Sequence, residues 1–460
     1  MVGVMADRTE NMGAGGATIF ALASGQGQAG IAVIRISGPH AIAALRRLST
    51  TPIVPRQLTH TCLTDPATGE LLDLCLVATF PAPASYTGED VVELHVHGGQ
   101  VVIAGVLSRL GQMSGLRPAE PGEFTRRAFE NGKLDLTEVE GLADLLAAET
   151  EAQRHQALTI ASGNQRQVYD SWRGQVIAAM AHVEAELDFA DEADVVPASL
   201  RQARATMAAL HEEIGRHLAD GHRGEIMREG FRVVLAGAPN VGKSSLLNAL
   251  ARRDVAIVSP EAGTTRDVID VRLNLGGVSV LVSDTAGIRR EAQGVEAEGI
   301  RRTMARGRAA ELVVWIVDAT YPETRVPAEI ASAGVAVLPV LNKSDLLCQV
   351  RPPAGMPMET LRISARTGLG LDRLVQALAE AARSPIGLAE TPAIITRARH
   401  REALLATRQS LGTFLTEPEH AAELRAEDLR SAAQALGRVT GRVDVEDVLD
   451  QLFATFCIGK

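Results

Sequence analysis

The stretch Gly237-Ala238-Pro239-Asn240-Val241-Gly242-Lys243-Ser244 decides the fold of the central part of this chain. An apolar run at 231–236 precedes it and predicts a buried parallel strand, and an apolar segment typical of a helix start follows it. The spacing G-x-x-x-x-G-K-S between a strand and a helix is that of a phosphate-binding loop. Its glycines let backbone N–H groups surround a phosphate, its lysine adds positive charge, and its serine hydroxyl can ligate Mg²⁺. The stretch therefore predicts a nucleotide site in an α/β domain.

The segment after this loop continues the α/β pattern. Apolar runs at 278–283, 312–317, 335–341 and 361–363 predict four more strands, which alternate with helical segments up to about residue 384. Such alternation is what a doubly wound parallel sheet requires. We expect Pro339 to lie near a strand end, because proline cannot donate a hydrogen bond to a neighbouring strand.

Polar motifs follow three of these predicted strands. In Asp284-Thr285-Ala286-Gly287 the aspartate can hold Mg²⁺ through water, and the glycine N–H can sense a γ-phosphate. In Asn342-Lys343-Ser344-Asp345 the last carboxylate can accept hydrogen bonds from guanine N1–H and N2–H, a donor pair that adenine lacks. Ser364-Ala365-Arg366 is placed to contact the base through backbone N–H groups. Together the motifs predict that the chain binds GTP.

The flanking segments have different patterns. Residues 16–134 mix turns with short apolar runs at 31–36, 91–96 and 101–107, which indicate an α/β domain with strands of modest length. The segments on either side of the predicted GTP-binding region are helical in character. Their helical faces are marked by Val176, Met180, Val183 and Leu187 in the first segment and by Val445, Val448, Leu449, Leu452 and Phe456 in the second.

The predicted fold class is α/β plus all-α and multidomain, with a P-loop sheet inserted in a helical domain. The ends of inserted domains usually lie close together, which favours one helical domain formed by both helical segments; two separate bundles remain the alternative. The predicted boundaries are a flexible N-terminus at 1–15, an N-terminal domain at 16–134, helical parts at 135–229 and 385–460, and the G domain at 230–384.

Composition excludes several classes of protein. The chain has 460 residues, a formal net charge of −10 and only 3% aromatic residues, which argues against a protein that coats nucleic acid through its overall charge or by base stacking. Residues 1–15 have no apolar signal-peptide region, no apolar run is long enough to cross a membrane, and the four cysteines are scattered. We expect a cytoplasmic protein that does not associate with membranes.

Hydrolysis of GTP requires an oriented water molecule and positive charge at the transition state. Ile288 stands where Ras-type enzymes have glutamine, so a residue from elsewhere in the chain or from a partner has to orient the water. Glu296 is the favoured candidate, because the stretch before it could move it into the site; a solvated carboxylate at a helix start is the alternative. A monovalent cation held by Asn240 could supply the charge that an arginine finger supplies elsewhere.

The motifs resemble those of translation-factor-type P-loop GTPases, which implies that Thr265 is a second Mg²⁺ ligand beside Ser244. Nearly the whole chain resembles the MnmE (TrmE) family of tRNA-modification GTPases. The resemblance rests on four blocks: GIAVIRISG at 30–38, YTGEDVVEL at 86–94 with HGG at 97–99, PGEFTRRAF at 121–129 with NGKLDL at 131–136, and FCIGK at 456–460.

The resemblance implies a folate-binding site in the N-terminal domain, at Arg35, Glu93 and Lys133, with Lys460 reaching in from the C-terminus. The expected cofactor is 5-formyl-tetrahydrofolate or 5,10-methylene-tetrahydrofolate. Basic side chains suit the glutamate tail of a folate, and a carboxylate suits the N–H groups of its pterin. No role is assigned to Cys457.

The resemblance also implies that G domains pair across a K⁺-dependent interface and that Glu296 is catalytic. The implied K⁺ ligands are Asn240, Ser259, Glu261 and Thr264, and Glu261 would act only through its backbone carbonyl because the family mostly has an aliphatic residue there. The predicted GTP-binding residues are Asn240, Val241, Gly242, Lys243, Ser244, Ser245, Ser259, Pro260, Glu261, Ala262, Gly263, Thr264, Thr265, Asp284, Thr285, Ala286, Gly287, Asn342, Lys343, Asp345, Ser364, Ala365 and Arg366.

The implied function is GTP hydrolysis that drives modification of the wobble uridine, position 34, of certain tRNAs. By resemblance, a tetrahydrofolate one-carbon unit becomes part of an aminomethyl or carboxymethylaminomethyl group at C5. The implied partners are a second copy, bound through the N-terminal domain, and the FAD-dependent MnmG (GidA) protein in a heterotetramer. The alternative is a regulatory GTPase switch that binds a ribosome-assembly or signalling partner.

Contact with tRNA is expected at local basic patches, because the overall charge is negative. The two patches consist of Arg117, Arg126, Arg127 and Lys133, and of Arg397, Arg399, His400, Arg401 and Arg408.

Overall fold

The computed structural model describes residues 16–25, 27–188, 196–257, 270–284, 310–321, 334–346, 360–387, 395–416, 422–443 and 446–460. The chain divides into two compact units. The first consists of Met1–Ala143 with Gly437–Lys460, and the second of Asp144–Leu436. The predicted domain boundaries stay predictions.

Strands and helices are numbered here in chain order over the described residues. The strands are β1 Thr18–Leu22, β2 Ala29–Ser37, β3 Thr59–Thr64, β4 Leu71–Phe80, β5 Val91–Gly98, β6 Leu116–Pro118, β7 Phe231–Ala236, β8 Asp270–Leu275, β9 Val278–Asp284, β10 Leu312–Asp318, β11 Ala336–Asn342 and β12 Leu361–Arg362. The helices are α1 Ala41–Leu48, α2 Gln100–Gly111, α3 Glu123–Glu130, α4 Leu136–Ala147, α5 Glu151–Ala161, α6 Asn164–Asp188, α7 Val196–Glu229, α8 Lys243–Ala251, α9 Leu371–Ile386, α10 Ala398–Thr416, α11 Ala422–Thr440 and α12 Glu446–Ala454.

A six-stranded sheet with the order β3-β4-β5-β2-β1-β6 forms the centre of the first unit. Its neighbouring strands are antiparallel, except that β1 and β6 run parallel. Alternation along β2 turns Ile34 and Ile36 into a core that α1 and α2 cover. Arg35, between them in sequence, therefore lies on the other face of the sheet, opposite Glu93 of β5.

The run at 101–107 was expected within a pattern of short strands, and it is part of helix α2. Val106 and Leu110 are fully buried, whereas Val101 is 86% exposed. Burial at every fourth residue is the period of a helix, and a short apolar run fits a strand or a helix equally well in the sequence.

The C-terminal segment joins this first unit. Phe453 and Phe456 pack with Leu136 and Val139 of α4. Beyond them Ile458 pairs with Pro121, and Gly459 has φ +101°, with no room for a Cβ because one would lie 2.1 Å from the carbonyl oxygen of Leu22. Glycine at this position therefore lets the last residues of the chain lie against β1.

The second unit contains a six-stranded sheet with the order β12-β11-β10-β7-β9-β8. All its neighbours are parallel except the antiparallel pair β8 and β9. Helices α8 and α9 bury Leu246, Leu250, Leu374 and Leu378 against one face. The predicted strands of this region are confirmed, and so is the predicted fold class.

Pro339 lies in the middle of β11, opposite Trp315, so the expectation of a strand end is wrong. Ile363 donates its N–H to the carbonyl oxygen of Leu341, so the peptide group of Leu341 faces β12. Pro339, two residues earlier, faces the same way, and β12 pairs only with Val340 and Leu341 among the described residues. The missing N–H of proline therefore costs this part of the ladder no bond.

The helical elements of the second unit are long. Helix α7 packs against α6 and α10. Tyr169 and Trp172 of α6 meet edge to face at 5.7 Å, and Tyr169 also lies against His400 of α10. Val176 and Val183, predicted on one helical face, are fully buried.

Candidate functional site

The phosphate loop connects β7 to α8 and depends on two of its glycines. Gly237 has φ +148°, and a Cβ there would lie 2.3 Å from the carbonyl oxygen of Ile316. Gly242 has φ +96° and precedes the first turn of α8, and a Cβ there would lie 2.4 Å from Nδ2 of Asn342. Both positions therefore require glycine. The arrangement exposes backbone N–H groups at a helix N-terminus, which is a site for anions.

Two side chains of α8 complete the phosphate side. The ammonium group of Lys243 donates to the carbonyl oxygens of Gly237 and Ala238 at 3.0 and 2.9 Å, so it lies over the loop. The hydroxyl of Ser244 donates to Oδ2 of Asp284 at 2.5 Å. Asp284 ends β9 and is 3% exposed. A hydroxyl and a carboxylate oxygen side by side are ligands that suit Mg²⁺.

Asn342 joins the phosphate loop to the base-recognition motifs. Its side chain is 2% exposed, its Nδ2 donates to the carbonyl oxygen of Val241 at 2.8 Å, and its Oδ1 accepts from the N–H of Ala365 at 3.0 Å. One buried amide thus positions three segments that lie far apart in the sequence.

Asp345 lies just beyond β11, in the short 3-10 helix Ser344–Leu346. Its Oδ2 accepts from Nη2 of Arg366 at 2.5 Å. A hydrogen bond from Ser364 and, more weakly, the one from Arg366 hold the pKa of the Asp345 carboxyl below its ordinary value. The carboxylate is therefore charged at neutral pH, as an acceptor for guanine N–H groups has to be.

Sequence reasoning missed Asp318, at the end of β10. Its Oδ2 accepts from Nζ of Lys343 at 2.7 Å, and its Oδ1 accepts from the N–H and hydroxyl of Thr320. These contacts fix Lys343, whose φ of +62° is uncommon for a lysine. The position of a carboxylate at the carboxyl end of a predicted parallel strand was the available signal.

Several predicted site residues lie outside the described residues. They are Ser259, Pro260, Glu261, Ala262, Gly263, Thr264, Thr265, Thr285, Ala286, Gly287 and Glu296. Asn240 is the predicted K⁺ ligand that falls within the described part of the chain, where it is exposed in the phosphate loop with φ +63°. Ser245 follows Ser244 on α8 and is also exposed.

The predicted folate residues Arg35 and Glu93 form an ion pair on the open face of the N-terminal sheet. Nε and Nη2 of Arg35 donate to Oε1 of Glu93 at 3.0 and 2.9 Å. The guanidinium also lies 5.4 Å from the ring centre of Tyr86 and 5.7 Å from that of Phe124. The two rings are site residues that sequence reasoning did not single out, although aromatic residues are rare in this chain.

Lys133 and Lys460 lie on segments that border this pair. Nζ of Lys133 donates to the carbonyl oxygen of Pro83 at 2.9 Å. Lys460 follows Gly459, which lies against Leu22 of β1. The residue before Leu22 is Ala21, which pairs with Arg35 of β2. A guanidinium, a carboxylate and two aromatic rings in contact fit a charged, flat, N–H-rich group such as a folate.

A buried polar network supports the loop before Lys133. Arg127 donates to Glu123 at 2.9 Å and to both carboxylate oxygens of Glu89 at 3.1 Å. Glu89 also accepts from Ser37, and Asn131 donates to the carbonyl oxygen of Thr87. This network fixes the turn at 87–89, next to Tyr86.

The four basic side chains of the first predicted patch all have partners in the structure, and the prediction that this patch contacts tRNA stays a prediction. Arg117 and Arg127 are paired with Glu123, and Arg126 is paired with Asp450 at 2.6 Å. Lys133 is held by a backbone carbonyl. Glu123 of α3 and Asp450 of α12 thus pair with three of the four cations of this patch.

Side chains of the second basic patch also form ion pairs or are buried. Arg397 is paired with Asp144 at 2.7 Å, Arg401 with Glu225, and His400 is fully buried against Tyr169. The guanidinium of Arg408 lies against Gly215 of α7, and Arg399 is partly buried. A phosphate group at either patch would have to compete with these ion pairs, and the predicted tRNA contact stays a prediction.

Comparison with known families agrees with this geometry. A model described as "GTP-binding protein TrmE N-terminus" matches residues 18–133, and one described as "MnmE helical domain" matches residues 136–457. The second match alone covers more than half of the chain. The chain belongs to the MnmE (TrmE) family. The resemblance seen in the sequence is thereby confirmed.

Relatives from three bacteria carry the description "tRNA modification GTPase MnmE". The MnmE of Parvibaculum lavamentivorans is 54% identical over 96% of this chain and 100% of its own length. Those of Rhodospirillum rubrum and Methylorubrum populi are 49% and 53% identical, over 96% of this chain and 99% and 98% of their own. A solved structure of a single-residue variant of Aquifex aeolicus Era, bound to GDP.AlF4−, is 25% identical over 39% of this chain and 66% of that one, with a TM-score of 0.25, too low to support an argument.

Two features are absent from the described part of the chain. No helix there is long and apolar enough to span a membrane. No group of three His, Cys, Asp or Glu side chains in the same ranges is arranged to hold a metal ion.

Proposed function

We propose that this chain hydrolyses GTP and that the hydrolysis serves the modification of tRNA. The observation that carries the proposal is the position of Asn342, whose buried amide contacts both the phosphate loop and the loop of Ala365. This link between the two loops places a phosphate site and a base site at one end of the same sheet. Membership of the MnmE (TrmE) family supports the tRNA part of the proposal.

Each part of the nucleotide has a proposed contact. Lys243 turns from the loop carbonyls to the β- and γ-phosphates, and Asp345 accepts the N1–H and N2–H of guanine. Ser244 and Asp284, with the predicted Thr265, would hold Mg²⁺, which when bound neutralises charge on the phosphates. Glu296 is proposed to orient the attacking water.

Positive charge at the transition state is proposed to come from K⁺. Asn240, Ser259, Glu261 and Thr264 are the proposed ligands. The exposed position of Asn240 in the phosphate loop supports this, because its amide oxygen can reach a cation beside the phosphates.

Turnover of GTP in KCl and in NaCl, at equal ionic strength, tests these points. We expect the wild type to be at least about tenfold faster in KCl, because the cation replaces a group of large catalytic effect. Asn240→Ala should lose that difference and still bind GDP. Equal rates in both salts would exclude the K⁺ mechanism, and no turnover in either would exclude the hydrolase.

The first unit is proposed to bind a tetrahydrofolate that supplies a one-carbon unit when bound. Glu93 would accept from the N–H groups of its pterin, with its paired Arg35 and the rings of Tyr86 and Phe124 beside it and Lys133 and Lys460 at the border. The contact of the guanidinium with two aromatic rings supports the assignment.

Titration with 5-formyl-tetrahydrofolate tests the folate site. We expect saturable binding that Arg35→Ala weakens about tenfold or more, since a charge-assisted contact is lost. Arg46→Ala, which removes an exposed arginine from α1, is the matched control and should bind like the wild type. If Arg35→Ala binds as tightly as the wild type, the site lies elsewhere.

The open face of the N-terminal sheet supports the proposed homodimer. Ile31, Leu74 and Leu76 lie on this face and are 60%, 45% and 37% exposed. Apolar side chains gathered on an open sheet face are typical of a protein interface. The heterotetramer with MnmG (GidA), the wobble uridine as the target and the cytoplasmic location follow from the family resemblance and stay proposals.

A further inference from the structure

The guanidinium of Arg366 already occupies the carboxylate that has to recognise guanine. Nη2 of Arg366 donates to Oδ2 of Asp345 at 2.5 Å. The Arg366 side chain is 75% exposed, whereas that of Asp345 is 12% exposed. The arginine is thus the outer and more exposed member of the pair.

The surroundings of Asp345 are fixed more firmly than Arg366 is. Ser364 is fully buried, and its hydroxyl contacts Asp345 and accepts from the N–H of Thr367. Lys343, the nearest other cation in sequence, is paired with Asp318. Arg366 is therefore the cation that is able to leave when a ligand arrives.

Guanine needs both oxygens of this carboxylate. Its N1–H and N2–H lie in the plane of the base, and a bidentate acceptor has to present two oxygens in that plane. Nη2 of Arg366 donates to one of these two oxygens, Oδ2. Guanine and Arg366 therefore compete for Asp345.

We propose that Arg366 competes with guanine for Asp345 and thereby weakens nucleotide affinity. This inference rests on the proposed function, because it takes Asp345 as the acceptor for guanine. A base that does not bind Asp345 does not have to break the pair, so the weakening applies to guanine nucleotides.

Titration of the full-length protein with fluorescent GDP tests the competition. We expect Arg366→Ala to lower the Kd about two- to fivefold, the range that an exposed ion pair accounts for. Arg366→Lys, which keeps the charge and loses the planar fork, should lie between that variant and the wild type. Arg362→Ala removes an exposed arginine from β12 and is the matched control, with an unchanged Kd.

A second pair of variants shows whether the change in Kd caused by Arg366→Ala depends on the Asp345 carboxylate. Asp345→Asn is titrated with xanthosine diphosphate, whose C2 carbonyl accepts from an amide. In that background Arg366→Ala should leave the Kd unchanged, because no carboxylate remains for the arginine to hold.

The outcomes separate the two proposals. If the wild type does not bind GDP, both the proposed function and this inference fail. If the wild type binds GDP and Arg366→Ala binds it equally or more weakly, only the competition is overturned. A higher Kd for Arg366→Ala would mean that Arg366 contacts the nucleotide. A lower Kd for Arg366→Ala in both backgrounds would overturn the route through Asp345.

Discussion

At the scale of single residues, the first unit contains a carboxylate whose charge is built into the fold. Glu123 is 8% exposed and accepts from Arg117 and Arg127. Burial by itself raises the pKa of a carboxyl, but here the hydrogen bonds from Arg117, the backbone of Glu120 and Arg127 outweigh it and lower the pKa below its ordinary value of 4.5. The ionised form is thus the one that the fold stabilises.

This shift predicts how stability depends on pH. Because the folded pKa is lowered, the contribution is present above the ordinary pKa and is lost as the pH falls through the folded value. We expect Glu123→Gln to lower the free energy of unfolding by about 1–3 kcal/mol at pH 7 and by less as the medium becomes more acidic than the ordinary pKa. Urea unfolding at a series of pH values measures this.

Glu120→Gln is the control for Glu123→Gln. Glu120 is exposed, so its substitution should leave the unfolding free energy nearly unchanged at every pH. If the effect of Glu123→Gln is equally large at neutral and acidic pH, the lowered pKa has no part in stability.

The sequence predicted contacts within motifs better than contacts between them. The spacing of Gly237, Gly242 and Lys243 was sufficient to identify the loop, because the positive φ of both glycines and the contacts of Lys243 with loop carbonyls belong to the loop itself. The pair of Arg126 with Asp450 spans 324 positions, and no local pattern announces such a partner. The ion pair of Arg126 was therefore not predicted.

At the scale of elements, the C-terminal segment is held to β1 by one glycine. Gly459→Ala should displace this segment, because φ +101° disfavours a side chain and the added Cβ would meet Leu22 at 2.1 Å. Lys460 would move with it. We expect faster amide exchange at 456–460 and weaker binding of 5-formyl-tetrahydrofolate.

Gly105→Ala on α2 is the matched substitution for Gly459→Ala. Nothing lies within 4 Å of a Cβ placed there, so exchange at 456–460 and folate binding should both stay unchanged. Normal folate binding by Gly459→Ala, despite faster exchange of the segment, would show that the C-terminus is not part of the site.

Strands and helices could be predicted from the sequence where the length of an apolar run and the residues that flank it indicated the same element. Strand β7 was clear because the phosphate loop follows it, and β10 because its whole run is apolar. The run at 101–107 was misassigned because its environment was unknown: only burial of Val106 and Leu110 shows the helical period. Pro339 was misplaced because the short extent of β12 is not visible in the sequence.

At the scale of the whole molecule, one chain combines a proposed GTPase site and a proposed folate site, and both are proposed to serve the modification of tRNA. Each unit alone would support a narrower function, a nucleotide switch or a cofactor-binding domain. What makes them one enzyme is the proposed target, an RNA nucleoside that needs both the one-carbon unit and the conformational cycle of GTP hydrolysis.

The proposed role in tRNA modification is tested most directly by nucleoside analysis of tRNA from cells that lack this protein. We expect that a modified wobble uridine disappears, and that the wild-type gene restores it. A gene with Lys243→Ala should not restore it, because the phosphate loop loses its cation. Unchanged tRNA nucleosides in the cells without the protein would contradict the proposed role.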